Sequence, residues 1–351
     1  MRKLLVVLLP LLSACDFLIV GDASRRANDA IVRGINYVAV TVNDLDQSTR
    51  LLAGAVNLET VNEGDIDEVP APMALLGRDE FSTKTRLIKS SNAQLRFIQF
   101  KNLPAKRSDY PRVEVNGPGI AHVAFQVNKE TKAYDRFLKA GGTPVNGTSE
   151  MTQLNAANPV TYAYARDAND TMYEFEHVDI TQLDRVAPPK YNYRIRHVAL
   201  ATPDFNRAVN FYSILLQQEK PRRLGRFINL QGEGFDSVSG FSGAKLKMAF
   251  FQVRNMELEI AQYISHPTSL PDQPRPFDAP GFSMIVFDVE DLSLARKQLL
   301  AAGGTIVSES SQMDGGLVLL GRDLDGNLLG FQKISDESIF SSQNFDSDGS
   351  T

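Results

Sequence analysis

The chain has 351 residues, 43% hydrophobic and 23% charged, the composition of a globular protein long enough for two domains. Its net charge of −5 and the lack of any Lys/Arg cluster argue against a nucleic-acid partner, which needs a basic face for phosphate. The body of the chain has no apolar run of about 18 residues, so nothing there reads as a membrane span.

At the N-terminus, Arg2 and Lys3 form a short basic region and Leu4 to Leu12 an apolar core. The following Leu12-Ser13-Ala14-Cys15 resembles the bacterial lipobox. Residues 1–14 are therefore expected to be a lipoprotein signal peptide, cleaved before Cys15, with acyl chains on Cys15 anchoring the protein to a lipid bilayer. Asp16 resembles the inner-membrane retention signal of enteric lipoproteins, giving an expected extracytoplasmic location on the periplasmic side of that membrane. Cys15 is the only cysteine, so no intrachain disulfide forms and stability rests on the cores. Residues 15–33, with the polar run DASRRAND (Asp22 to Asp29), read as a tether.

The rest of the chain repeats itself. LKAGGTPV (Leu138 to Val145) returns as LAAGGTIV (Leu300 to Val307), 162 residues later. GIAHVAF (Gly119 to Phe125) returns at the same offset as GFSMIVF (Gly281 to Phe287). Two more copies of that strand motif are INYVAVT (Ile35 to Thr41) and IRHVALA (Ile195 to Ala201), 160 residues apart. A fixed period announces repeated supersecondary units. Four follow, at 34–100, 119–178, 193–263 and 281–334, separated by Pro-containing connections. Taken in sequence order they form an expected domain at 34–178 and a second at 193–334. The Ser/Asp-rich stretch 335–351 is expected to be a disordered tail.

Each unit opens on an alternating strand, such as Val123, Phe125 and Val127 on one face against His122, Ala124 and Gln126 on the other. A helix follows. In the third unit Asp204 can cap it, and Ala208, Phe211, Tyr212 and Leu215 make an apolar stripe. In the second and fourth units it stops at Gly141-Gly142 and Gly303-Gly304. Three more strand-like stretches complete a β-α-β-β-β order, an α+β fold. The last hairpins carry RDANDTMYEF (Arg166 to Phe175) and RDLDGNLLGF (Arg322 to Phe331). The second lacks the remaining ligands and closing Glu of a calcium loop and reads as a tight turn.

Together these motifs resemble the vicinal oxygen chelate superfamily, which includes glyoxalase I, extradiol dioxygenases, fosfomycin-resistance proteins and bleomycin-binding proteins. The resemblance covers 34–334 and implies two glyoxalase-like domains built from the four modules. In that superfamily each unit can offer two metal ligands, one on its first strand and one on its last. Carried over, the first unit offers Tyr37 and Arg96, the second His122 and Glu174, the third His197 and Glu259, and the fourth Met284 and Gly330. Only the middle two keep His and Glu. Strand alternation independently puts His122 and Glu174 on the face away from the apolar core, and places His177 on the other face, outside the site.

Pairing of the units decides the chemistry. Pairing first-with-second and third-with-fourth gives each cavity one His and one Glu. Pairing second-with-third collects His122, Glu174, His197 and Glu259 in one cavity, a set suited to a divalent Zn, Ni, Co, Mn or Fe ion. Either Glu174 or Glu259 would then serve as general base. The resemblance leaves a metal-dependent lyase or isomerase acting on a small oxygenated molecule, or a metal-free protein that binds a small-molecule ligand, with an extradiol-type dioxygenase as a third option. The positions that would read glutathione carry Ala201 and Tyr263, which argues against a glutathione-dependent enzyme. Met284 and Gly330 fail the ligand pattern of an extradiol dioxygenase.

Overall fold

The computed structural model describes residues 29–66, 75, 81–101, 110–154, 159–182, 193–225 and 228–346. The signal peptide, Cys15, Asp16, most of the tether and the Pro188-Pro189 linker lie outside these residues. No described helix is long and apolar enough to cross a membrane.

The four units appear in the expected order. The first comprises β1 (Val32–Thr41), α1 (Leu45–Ala55), β2 (Glu59–Gly64), β3 (Thr83–Lys89) and β4 (Gln94–Phe100). The second comprises β5 (Gly119–Asn128), α2 (Ala133–Lys139), two short strands β6 (Thr143–Pro144) and β7 (Thr152–Gln153), then β8 (Val160–Arg166) and β9 (Met172–Val178). The third runs through β10 (Tyr193–Ala201), α3 (Phe205–Leu215), β11 (Arg222–Leu224), β12 (Leu230–Gln231), α4 (Glu233–Ser239), β13 (Lys245–Val253) and β14 (Met256–Tyr263). The fourth holds β15 (Gly281–Val289), α5 (Leu292–Ala301), β16 (Thr305–Met313), β17 (Gly316–Arg322) and β18 (Leu328–Lys333). Helix α4 lies between β12 and β13, and in the first unit Leu75 is helical at the corresponding place between β2 and β3.

Local chemistry sets the helix ends. Asp44, Asp204 and Asp291 accept hydrogen bonds from first-turn amides at 2.7–3.0 Å. The repeated Gly pair has a different reason at each position. Gly141 and Gly303 take the left-handed turn at φ +112° and +96°. A Cβ on Gly142 or Gly304 would lie 2.2 or 2.3 Å from the Phe137 or Leu299 side chain of the preceding turn.

The strands form two sheets, and their composition corrects the sequence-order domains 34–178 and 193–334. Sheet A runs β16-β17-β18-β15-β1-β4-β3-β2, uniting the first and fourth units. Sheet B runs β11-β13-β14-β10-β5-β9-β8-β6, uniting the second and third. At each centre two first strands pair antiparallel, β1 with β15 and β10 with β5. Consecutive units meet instead through helices, α1 on α2 and α3 on α5. One apolar core joins the helices to the inner faces of both sheets, and includes Val38, Phe97, Val123, Phe125, Phe175, Phe211, Leu258 and Phe287. Each concave outer face carries its own smaller apolar cluster.

Two fully buried asparagines hold the sheets in register. Asn92, in the β3–β4 turn, donates to the carbonyls of Ile195 and Asn255, each at 2.7 Å, and accepts from the Ile195 amide at 2.9 Å. Asn255, in the β13–β14 turn, donates to the carbonyls of Ile35 and Asn92, each at 3.0 Å, and accepts from the Ile35 amide at 2.9 Å. Each hairpin turn thus grips the first strand of the opposite sheet just before its bulge.

The expected disordered tail is corrected over 335–346. This stretch crosses sheet A as a strap, burying Phe340, Ser341, Ser342 and Phe345. The two phenylalanines supply the apolar burial that a Ser/Asp-rich composition conceals. Residues 347–351 lie outside the described residues.

Candidate metal centre

Sheet B brings together the four residues that the sequence singles out. The cross-strand registers place Glu174, Ala124, His197 and Glu257 in one row, and Met172, His122, Ala199 and Glu259 in the next. Cross-strand neighbours share a face, so all four candidate ligands project from the concave side. Ala124 and Ala199, which face His197 and His122 across the central pair, are fully buried and leave room for the larger side chains to converge.

The convergence is tight. Nε2 of His122 lies 3.1 Å from Nε2 of His197 and 3.0 Å from Oε2 of Glu174. Nε2 of His197 lies 3.1 Å from Glu174 Oε2 and 3.0 Å from Glu259 Oε2. One ligand atom from each of the four falls within 4.8 Å of the others. All are buried, at 4%, 6%, 2% and 1% exposure for His122, Glu174, His197 and Glu259. The rings of Tyr164 and Phe250 wall the site, 4.9 Å from His122 and 5.9 Å from His197.

Electrostatics follow from two carboxylates held away from water. Burial alone would lower His197, but the Glu259 charge and the hydrogen bond to Glu174 outweigh it and raise the imidazole to about 10. Burial alone would raise Glu174, yet its contacts with both imidazoles hold it well below the usual carboxylate range. Both shifts have one geometric source, the His197 ring lying between the Glu174 and Glu259 carboxyl groups.

The donor set fits a divalent ion. Two imidazole nitrogens and two carboxylate oxygens converge, the mixed N/O set favoured by Zn, Ni, Co, Mn and Fe. Glu259 Oε2, although near His197, has no aligned hydrogen bond among the described residues and keeps a lone pair for a ligand. A proton on Nδ1 of each imidazole would leave both Nε2 lone pairs facing the cluster.

The other carried-over positions lie elsewhere. Tyr37, Arg96, Met284 and Gly330 sit on sheet A, at registers equivalent to those of the candidate ligands. Tyr37 and Arg96 share Asp314, which lies 2.6 Å from Tyr37 Oη and 2.8 Å from Arg96 Nη1. Ala201 and Tyr263 line the apolar cluster on the concave side of sheet B.

His177 lies on the opposite face, as alternation requires, where its Nε2 accepts from the Tyr134 amide at 3.2 Å. Burial pushes it down to about 4. The unfolded chain protonates near 6.5, so stability is full above that value and is lost as pH falls towards 4. A loss of about 3 kcal/mol is expected across that window. Urea unfolding at pH 7 and pH 4.5 should show His177→Gln losing less than wild type; equal losses would remove His177 as the cause.

An ion network beside the site was not legible beforehand. Arg196 pairs with Glu176 at 2.7 Å and Glu257 at 3.3 Å, and Arg222 pairs with Glu257 at 2.8 Å. Arg196 is the extra residue of a bulge between Ile195 and His197. Strict alternation would have turned it to the core.

The chain matches the family described as the Glyoxalase/Bleomycin resistance protein/Dioxygenase superfamily over residues 34–158 and 194–331. No curated protein matches its sequence. Glyoxalase I from Zea mays is a similar solved structure, at TM-score 0.58 and 14% identity, covering 86% of this chain and 92% of that one. A putative dioxygenase from Bacillus subtilis is similar at TM-score 0.52 and 10% identity, covering 86% and 85%. At such identities the likeness speaks for the fold.

Proposed function

The chain belongs to the Glyoxalase/Bleomycin resistance protein/Dioxygenase superfamily, and from that premise we propose that it is a metal-dependent lyase or isomerase acting on a small molecule with adjacent oxygens. The observation that carries this reading is the convergence of His122, Glu174, His197 and Glu259 in one buried cluster. These four would hold the ion. A divalent metal there supplies Lewis acidity that polarises substrate oxygens and stabilises negative charge as it develops. Tyr164 and Phe250 limit water around the cluster. Either Glu174 or Glu259 is placed to take a proton from a carbon held beside it, returning it to the neighbouring position.

Titration of Zn into purified, chelator-treated protein tests this. About one ion per chain is expected at neutral pH. Because His197 starts protonated, uptake should release about one proton, read as an enthalpy that changes with the buffer. Protein that takes up no ion would favour the metal-free ligand binder. That second reading draws on one observation: His197 Nε2 lies 3.1 Å from Glu174 and 3.0 Å from Glu259, contacts that can close the cluster without a metal.

We further propose that Cys15 is acylated and holds the protein on the periplasmic side of a membrane, as its lipobox-like setting and following Asp16 suggest. Cys15→Ser should move the chain from the membrane to the soluble fraction. Unchanged membrane association would discard the anchor.

A further inference from the structure

On sheet A, Tyr37 stands at the register of His122, and Arg96 faces Ala39 as Glu174 faces Ala124. The result is a second buried polar centre of different chemistry. Asp314, at the β16–β17 turn, accepts from Tyr37 Oη at 2.6 Å and pairs with Arg96 at 2.8 Å. Arg96 Nε has no hydrogen-bond partner among the described residues. The guanidinium carbon instead lies 4.7 Å from the Phe340 ring centre, and that ring meets Tyr37 edge-on at 6.1 Å. A weakly hydrated guanidinium against an aromatic face is a favourable pairing.

Phe340 reaches this slot from the strap, whose other attachments are to β1, β15 and the β13–β14 turn. The Ser342 amide donates to Asn36 Oδ1 at 2.8 Å, and its hydroxyl donates to Asp288 at 2.7 Å. Gln343 donates to Asp288 at 3.0 Å, and Arg254 donates to the Phe345 carbonyl at 2.8 Å. The strap has a seat because residue 34 is glycine: a Cβ there would lie 2.3 Å from Ser342 Oγ. In the third unit the equivalent position is Arg194, opposite Gln126 as Gly34 is opposite Asp288. Sheet B therefore has no matching seat, and the strap is specific to sheet A.

We propose that residues 335–346 are an intramolecular plug, and that the slot over Arg96 and Tyr37 is a second binding site for a planar aromatic small molecule. Phe340 occupies it in the intact chain. The strap contributes no strand, only a single 3-10 turn at Ser342–Asn344, so its departure breaks no sheet hydrogen bonds. Tethered to β18, the ring competes at an effective concentration of about millimolar, which keeps the slot silent to dilute ligands. The proposal is independent of the metal centre, whose residues all lie on sheet B.

Calorimetric titration of 1-naphthol into three proteins tests it: the intact chain, Gly34→Ala, and a chain ending at Ile334. Gly34→Ala dislodges the strap without altering any residue of the slot. Both altered chains should show one site per chain, at least about tenfold tighter than the intact protein. They should also prefer 1-naphthol about tenfold over 1-decalol, its saturated counterpart with no aromatic face. In the intact chain, saturating 1-naphthol should speed hydrogen exchange within 335–346. Equal binding of the two alcohols would reduce the slot to a nonspecific apolar hole. Folded altered chains without saturable binding would overturn the proposal. So would failure of both to fold, because the strap would then be a structural staple.

Discussion

The double variant His122→Ala with His197→Ala is expected to lose divalent-ion affinity by on the order of 10⁴-fold while keeping its fold. Four-ligand protein sites yield about 10–16 kcal/mol on ion binding, so two ligands account for several. The fold should persist because both side chains lie on the concave face, outside the apolar core between the sheets. The variant should nonetheless behave differently without metal. Removing His197 takes away the positive charge between two buried carboxylates, and one of them must then hold a proton near neutral pH. Elemental analysis of purified protein, alongside thermal melting with and without added ion, checks both parts. Ion content equal to wild type would mean that the metal, if any, is bound elsewhere.

Asn255→Ala, or Asn92→Ala, is expected to cost about 4–6 kcal/mol of stability. Asn255→Ala removes three buried hydrogen bonds and Asn92→Ala four, and either strands one amide and two carbonyls at about 1–3 kcal/mol each. With total stabilities of about 5–15 kcal/mol, either change takes a large share. The two should not add. The side chains share no bond, but each amide donates to the main-chain carbonyl of the other residue, so loosening one turn displaces the acceptor that the other needs. Urea unfolding of the two single variants and the double one measures this coupling. Single losses below about 1 kcal/mol would show that the sheets are held by apolar burial alone.

Much of this architecture is legible in the residues. The Gly pair after two helices reports a left-handed turn and a close packing contact, both chemical necessities of the backbone. His and Glu at matching places in two units point to one face of one sheet, and strand alternation removes His177 from that face. Pairing of the units was beyond reach, because every first strand carries the same alternating pattern and any two would bury it. What distinguishes the pairs is long-range: Asn92 and Asn255 act across 163 residues, with no local signal. Arg196 was missed because one bulge reverses the parity of its strand. The strap was missed because Phe340 and Phe345 are too few to shift the average of a polar stretch.

The crosswise pairing explains why the donors are matched in the repeats. A centre whose donors come half from one unit and half from another is complete only when the two units face each other. The inner units, facing each other on sheet B, carry all four donors. The outer units, facing each other on sheet A, carry Tyr37, Arg96, Met284 and Gly330 at those registers, with a seat for the chain's own end. One molecule thus carries two unequal concave faces, the His and Glu donors confined to one and the chain's own end laid across the other.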